Sequence, residues 1–207
     1  MENKDKLEDY FLGQEEPGWK KASSFIWEIA KVVIISLAII LPVRYFLIQP
    51  FYVKGASMEP NFHDHEYLII DELGYRFNNP QRGDIIVFRY PKDPKQFFIK
   101  RVIGLPGETV KIENGRVYIS KDGSTFTPLD ESYLPAGLQT DLPITSYNDV
   151  KLQSDEYFLM GDNRTASMDS RMFGPVKRDF IIGRTWLRGW PLDRLTVFNS
   201  PSYNVIK

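Results

Sequence analysis

A chemical reading of this chain starts at Ser57. It stands in the stretch FYVKGASMEP (51–60), directly after a long apolar run. Gly55 and Ala56 precede it, and Pro60 fixes the backbone just beyond. Small neighbours let another chain approach closely, and glycine admits backbone shapes that other residues resist. A hydroxyl presented in this way can act as a nucleophile if a base takes its proton. His63 and His65 are near in sequence, but either would have to fold back onto Ser57 over a very short loop. Their His-Asp-His spacing hints at metal, yet no third ligand cluster accompanies it, so they read as loop residues and no metal is implied. Lys100 is the other candidate base. It lies in FFIKRVI (97–103), where strand alternation points Lys100 and Arg101 to opposite faces and turns one of them inward. A lysine held among apolar groups binds its proton less tightly, because burial disfavours the charged form. It then becomes an amine able to accept a serine proton. On these residues alone, that reading stands level with an edge strand carrying solvated charges.

The bulk numbers narrow the field. The chain has 207 residues, a net charge of −1 and no cysteine. The length allows one or two domains with an adequate core. The balanced charge argues against nucleic acid as the main partner. Without cysteine there is no disulfide, no cysteine-ligated zinc and no thiol catalysis.

The elements that must position Ser57 and Lys100 follow from patterning. Residues 1–24 are polar and of mixed charge, and read as a tail. Residues 25–48 form an apolar run of roughly 24 residues that would span about 36 Å as a helix, against a bilayer core of about 30 Å. Only residues 32–43 are free of charge, so a buried soluble helix or a removed signal peptide competes with an anchor. Cleavage after Ala56 would put Lys54 at −3, a poor fit for a processing site. Glu28, Lys31 and Arg44 lie near the ends, where long side chains snorkel to the interface, and Trp19, Trp27, Tyr45 and Tyr52 suit aromatic belts. Lys20, Lys21 and Lys31 place the tail in the cytoplasm by the positive-inside rule. The expectation is one uncleaved span in the plasma membrane, in contact with lipid, with residues 49–207 on the outer side.

The rest reads as mostly antiparallel β with little helix. Strands are expected over 67–70, 84–90, 96–103, 156–160 and 181–188. Asn114-Gly115 marks a tight hairpin within 109–120. Residues 121–153 are rich in Ser, Thr, Pro and Asp and read as irregular. With the hairpin they make an inserted subdomain at about 106–155.

Four blocks together resemble the bacterial type I signal peptidases. They are Gly-Ala-Ser-Met-Glu-Pro (55–60), Arg-Gly-Asp-Ile-Ile-Val-Phe (82–88), Lys-Arg-Val-Ile-Gly-Leu-Pro-Gly-Glu (100–108) and Gly-Asp-Asn-Arg…Ser…Asp-Ser-Arg (161–171), in the family's order after one anchor. The resemblance covers nearly all of the chain beyond residue 25. It implies a membrane-bound serine endopeptidase without cofactor that cuts signal peptides from exported preproteins after small residues, with Ala at −1 and −3. Ser57 would be the nucleophile, Lys100 the general base, and Ser167 the group that orients the lysine amine. Arg101, Asp162, Asp169 and Arg171 would hold the site together. Phe51, Val53, Met58, Phe98 and Ile99 would line the pockets for the −1 and −3 side chains. Gly55 stands where some members carry a serine that helps hold the oxyanion, so here the Ser57 backbone N–H would carry that task. Asn61-Phe62 replaces the commoner Thr-Leu and would reshape the −1 pocket, and Thr165-Ala166 replaces a usual polar pair. Two rivals remain. One is a self-cleaving Ser-Lys regulator, which would bring a DNA-binding domain instead of an anchor. The other is a membrane-anchored β module that binds peptides without cutting them.

Overall fold

The computed structural model of the chain describes residues 18–42, 49–141 and 149–198. The chain divides into two compact units, 1–45 and 46–207. The first unit holds helix α1 (Gly18–Pro42). Its stretch Gly18–Leu41 is long and apolar enough to cross a membrane. The helix starts before residue 25, the expected start, because Trp19, Lys20, Lys21 and Ala22 all tolerate helix and nothing breaks the run before Phe25. Arg44 and Tyr45, assigned above to the far end of the span, lie outside the described residues, as does the tail over 1–17.

The second unit is built on two antiparallel sheets. Its strands are β1 (Gln49–Tyr52), β2 (Tyr67–Asp71), β3 (Ile85–Tyr90), β4 (Asp93–Gly104), β5 (Thr109–Glu113) and β6 (Arg116–Ser120). After them come β7 (Thr127–Pro128), β8 (Asp149–Lys151), β9 (Glu156–Met160), β10 (Val176–Lys177), β11 (Ile181–Trp190) and β12 (Thr196–Val197). The larger sheet runs β1-β2-β11-β3-β4-β9-β10, with β12 on β11, and the smaller runs β7-β6-β5-β8. Two short helices connect strands of the larger sheet, α2 (Glu72–Phe77) between β2 and β3 and α3 (Ser170–Phe173) between β9 and β10.

β3 and β4 form the hairpin that carries Lys100, with Ile86 opposite Lys100 and Phe88 opposite Phe98. β4 starts at Asp93 rather than 96, because Tyr90 pairs with Asp93 across a turn of two residues and leaves Pro94 inside the strand. Along residues 97–100, β4 pairs with β3 alone; β9 joins only from Arg101. Proline is tolerated at such a one-sided edge because no ladder bond is lost. The Asn114-Gly115 hairpin forms as expected, with both residues at positive φ, 49° and 75°. The stretch read as irregular contributes β7 and β8 to the smaller sheet.

β1 and β4 are four places apart in the large sheet, about 19 Å if it were flat. Yet the Phe51 and Phe97 rings meet edge to face at 5.7 Å between centroids. The sheet therefore curls, and the curl brings the β1–β2 connection, which holds Ser57, against β4. Val53, Met58, Phe62, Leu68, Ile70, Ile85 and Val87 form the buried cluster inside it. A second cluster, with Ile103, Phe158 and Met160, joins the two sheets.

Candidate active site

Ser57 lies in a turn just after β1. His65 N–H donates to Val53 O and Val53 N–H to Glu66 O, so the loop from 53 to 66 closes on itself. Within it, Gly55 adopts φ +92° and its N–H donates to Asp64 Oδ1 at 2.9 Å. That backbone region is one that a side chain resists, which accounts for glycine there. The other side of Ser57 is held by the loop after β9. Asn163 N–H donates to Ser57 O at 3.1 Å, and Asn163 Nδ2 donates to Ala56 O at 3.1 Å.

Lys100 Nζ lies 2.7 Å from Ser57 Oγ and donates to Ile99 O at 2.8 Å. The side chain is 3% exposed and its Nζ sits over the Phe98 ring at 5.5 Å. Burial brings its pKa down from 10.5 to about 8; Asp169 and Asp162 pull it upward, and Arg171 adds to the lowering. Near pH 7 about one molecule in ten then carries a neutral amine at this position. Arg101 is buried as well, at 5%. The alternation that required one of the pair to face inward therefore understated the burial. Lys100 meets the turn that holds Ser57, while β9 and its following loop cover Arg101.

The ion pairs behind the site are tightly made. Arg101 grips Asp162 with two bonds, Nε to Oδ1 at 2.7 Å and Nη2 to Oδ2 at 2.6 Å, and gives a third to Gly83 O at 3.0 Å. Arg171 grips Asp169 at 2.9 and 2.8 Å, and Asp169 Oδ2 accepts Gly161 N–H at 3.0 Å. Bidentate geometry fixes orientation as well as charge.

The structure places Ser167 in the wall next to Gly161. Its Oγ is buried and makes no hydrogen bond among the described residues. The bond to Lys100 expected from the sequence is thus not formed here. A neutral lysine amine that accepts from Ser57 and donates to Ile99 O keeps one N–H unassigned.

A cleft of about 240 Å³ opens beside Ser57 and Lys100. Phe51, Val53, Phe98 and Ile99 lie on its walls, as do Phe97 and Met168, with Leu68 and Val87 beneath. Met58 does not line it. Its side chain is 1% exposed and packs into the core, because the turn at Ser57 breaks the strand alternation that would have aimed it at the cleft. Asn61-Phe62 is also placed differently from the expectation. Phe62 is fully buried in that core, and Asn61 Nδ2 bonds Asp162 Oδ2 at 2.9 Å, away from the cleft. Thr165-Ala166 is ordered by Asn163, whose Oδ1 accepts from both residues. His63 and His65 face Glu59 and Asp64 instead of Ser57.

The sequence reading passed over Arg164. It is 2% exposed and donates to Gly161 O, Thr140 Oγ1, Tyr133 Oη and Glu131 Oε1. An arginine placed between Asn163 and a loop serine reads as solvated, and only the partners from 131 to 140 show otherwise.

The family model described as signal peptidase, peptidase S26, matches residues 26–190. The chain belongs to this family. It is 38% identical over 188 residues to signal peptidase I of Leptolyngbya laminosa, covering 87% of this chain and 88% of that one. It is 35% identical over 182 residues to signal peptidase I P of Bacillus subtilis subsp. natto, covering 85% and 95%. A solved signal peptidase I from Enterococcus faecalis V583 aligns at 33% identity over 52% of this chain and 97% of that chain, with a TM-score of 0.42. Membership in this peptidase family gives the apposed hydroxyl and amine a chemical context, with a mostly apolar cleft beside them.

Proposed function

We propose that this member of the signal peptidase family is a membrane-bound Ser-Lys endopeptidase that cuts signal peptides from exported preproteins after small residues, with Ala at −1 and −3. The observation that carries the reading is the 2.7 Å contact between Lys100 Nζ and Ser57 Oγ beside the cleft. Neutral Lys100 takes the Ser57 proton as Oγ bonds to the scissile carbonyl carbon, and the carbonyl electron pair moves onto oxygen. The Ser57 backbone N–H receives that oxyanion. The Gly55 N–H is already committed to Asp64 and does not share the task. Collapse breaks the C–N bond, and the proton on Lys100 leaves with the amine. Water then gives a proton to Lys100 while its oxygen attacks the ester carbon. The second collapse releases the signal peptide and returns the proton to Ser57 Oγ. Ser167 Oγ, buried nearby without a hydrogen bond among the described residues, would accept the amine's remaining N–H once it turns toward Lys100, and Arg101, Asp162, Asp169 and Arg171 hold the frame.

The one-sided edge of β4 at residues 97–100 offers main-chain groups to an extended peptide. The bulky walls of Phe51, Val53, Phe98 and Ile99 favour small side chains at −1 and −3. The span lies within helix α1 (Gly18–Pro42), its N-terminal end with Lys20 and Lys21 is on the cytoplasmic side, and residues 49–207 face outward. The partners are signal peptides and membrane lipid.

The test uses the full chain purified in detergent and a preprotein with Ala at −3 and −1. Wild type should cut it, and Ser57→Ala and Lys100→Ala should not. Wild type that binds the preprotein without cutting would favour the non-catalytic peptide-binding module instead. Protease added to intact cells should digest the chain beyond residue 50, and protection of that region would refute the orientation.

A further inference from the structure

We infer that Tyr133 is a positioning residue for the Ser57–Lys100 pair, acting through two buried arginines that it clamps. The inference rests on the Ser-Lys reading above. Tyr133 lies in the stretch between β7 and β8, outside every block of the family pattern. Its ring lies 4.0 Å from the Arg101 guanidinium and 6.0 Å from that of Arg164. Its hydroxyl accepts from Arg164 Nη2 at 2.8 Å and donates to Glu131 Oε1 at 2.7 Å. Glu131 Oε1 in turn accepts from Arg164 Nη2 at 2.5 Å. The Tyr133 carbonyl accepts from Asn61 Nδ2 at 3.0 Å.

Both guanidiniums end on the same dipeptide step. Arg101 holds the Asp162 carboxylate, and Arg164 Nε donates to Gly161 O at 3.1 Å. Gly161 is the residue against which the Ser57 carbonyl and Ser167 pack. Arg101 also follows Lys100 directly in β4, so anchoring Arg101 restrains the strand next to Lys100. One phenol therefore braces the β4 side and the nucleophile side of the site together. A buried guanidinium needs a filled set of partners, and a ring face beneath it restricts where it can point.

The competing explanation is packing alone, since Tyr133 also touches the core beneath the smaller sheet. The two differ in what they move. Lost packing lowers the melting temperature and the folded fraction. Lost positioning lowers kcat in molecules that are folded, because small displacements of reacting groups are costly in rate.

The experiment measures kcat and KM for wild type, Tyr133→Phe and Tyr133→Leu as full chains in detergent, well below each melting temperature. The substrate is a peptide with Ala at −3 and −1. Tyr133→Leu removes the ring and the hydroxyl; kcat is expected to fall roughly ten- to a hundredfold, with KM within about twofold. Tyr133→Phe keeps the ring on Arg101 and should recover much of that loss. A folded Tyr133→Leu with kcat within about twofold of wild type, or a loss confined to KM, overturns the inference. If Tyr133→Leu does not fold, Tyr133→Phe combined with Glu131→Gln takes its place. That protein keeps the ring but loosens Arg164, and an unchanged kcat there is equally fatal. Failure of the Ser-Lys reading shows separately, as wild type that does not cut or Ser57→Ala that does.

Discussion

The α-carbon of Gly161 lies against the carbonyl oxygen of Ser57. A Cβ at Gly161 would fall closer than 3.0 Å to that oxygen and to the Ser167 hydroxyl, and 2.5 Å from Ser167 Cβ. The loop after β9 and the Ser57 turn are thus packed with no room for a methyl group. Gly161→Ala must push Ser57 or Ser167 aside. Overpacking of this kind costs about 1–3 kcal/mol, and misplacing a reacting group by about 1 Å costs about a hundredfold in rate. We expect kcat/KM to fall roughly a hundredfold while the far-ultraviolet circular dichroism is unchanged. An alanine variant as fast as wild type would show that the two walls slide apart freely.

The base predicts the pH profile. In the proposed Ser-Lys mechanism Lys100 must be neutral to accept the Ser57 proton, and burial brings its pKa to about 8. Below that value the neutral, active fraction falls about tenfold for each pH unit. A plot of log kcat/KM against pH should therefore rise with unit slope through neutral pH and level off above about 8. A limb centred near the lysine's ordinary 10.5 would show a solvated amine and defeat the burial argument.

The same shift governs stability. The unfolded chain holds the lysine proton up to 10.5, the folded one only up to about 8. Between these values the unfolded state binds more protons, so stability rises with pH from about 8 to 10.5. Below about 8 the full penalty applies, roughly 3 kcal/mol (10.5 − 8 = 2.5, at about 1.36 each). Lys100→Met removes that penalty and also two hydrogen bonds worth about 1 kcal/mol each. We expect an inactive protein that melts higher than wild type by a few degrees at pH 7. The advantage should shrink toward pH 10.5. A variant that melts lower than wild type at pH 7 would mean that the amine stabilises the fold.

What the sequence made legible was local. Asn114-Gly115 announced its hairpin because a tight turn depends on its own two residues. Ser57 stood out through its small neighbours, and Lys100 through apolar flanks. Strand alternation did not extend to Met58, where a turn intervenes, nor did it settle Arg101, whose burial depends on β9 joining β4 there. α2 escaped notice because six residues with a glycine carry no helical period. Its signal was Asp71, whose side chain accepts Gly74 N–H at 2.7 Å. Tyr133 and Arg164 are 31 positions apart, and no spacing rule links a phenol to a guanidinium over that distance. Only the folded chain shows that part of the stretch read as irregular meets Arg101 and Arg164.

Gly55 offers a test of how the oxyanion is held. A Cβ there would meet nothing within 4 Å, but the φ of +92° is one that side chains rarely adopt. Gly55→Ala should therefore cost about 1–3 kcal/mol through backbone strain alone, with no clash. Gly55→Ser carries the same strain and adds a hydroxyl. A donor to the oxyanion is worth about 10²–10³ in kcat where it is well placed. Comparing the two variants cancels the strain and isolates the hydroxyl. We expect equal melting temperatures and a serine variant that cuts at least about tenfold faster than the alanine variant. Equal rates would mean that the hydroxyl does not reach the developing charge, and that the Ser57 N–H holds it without help from this position.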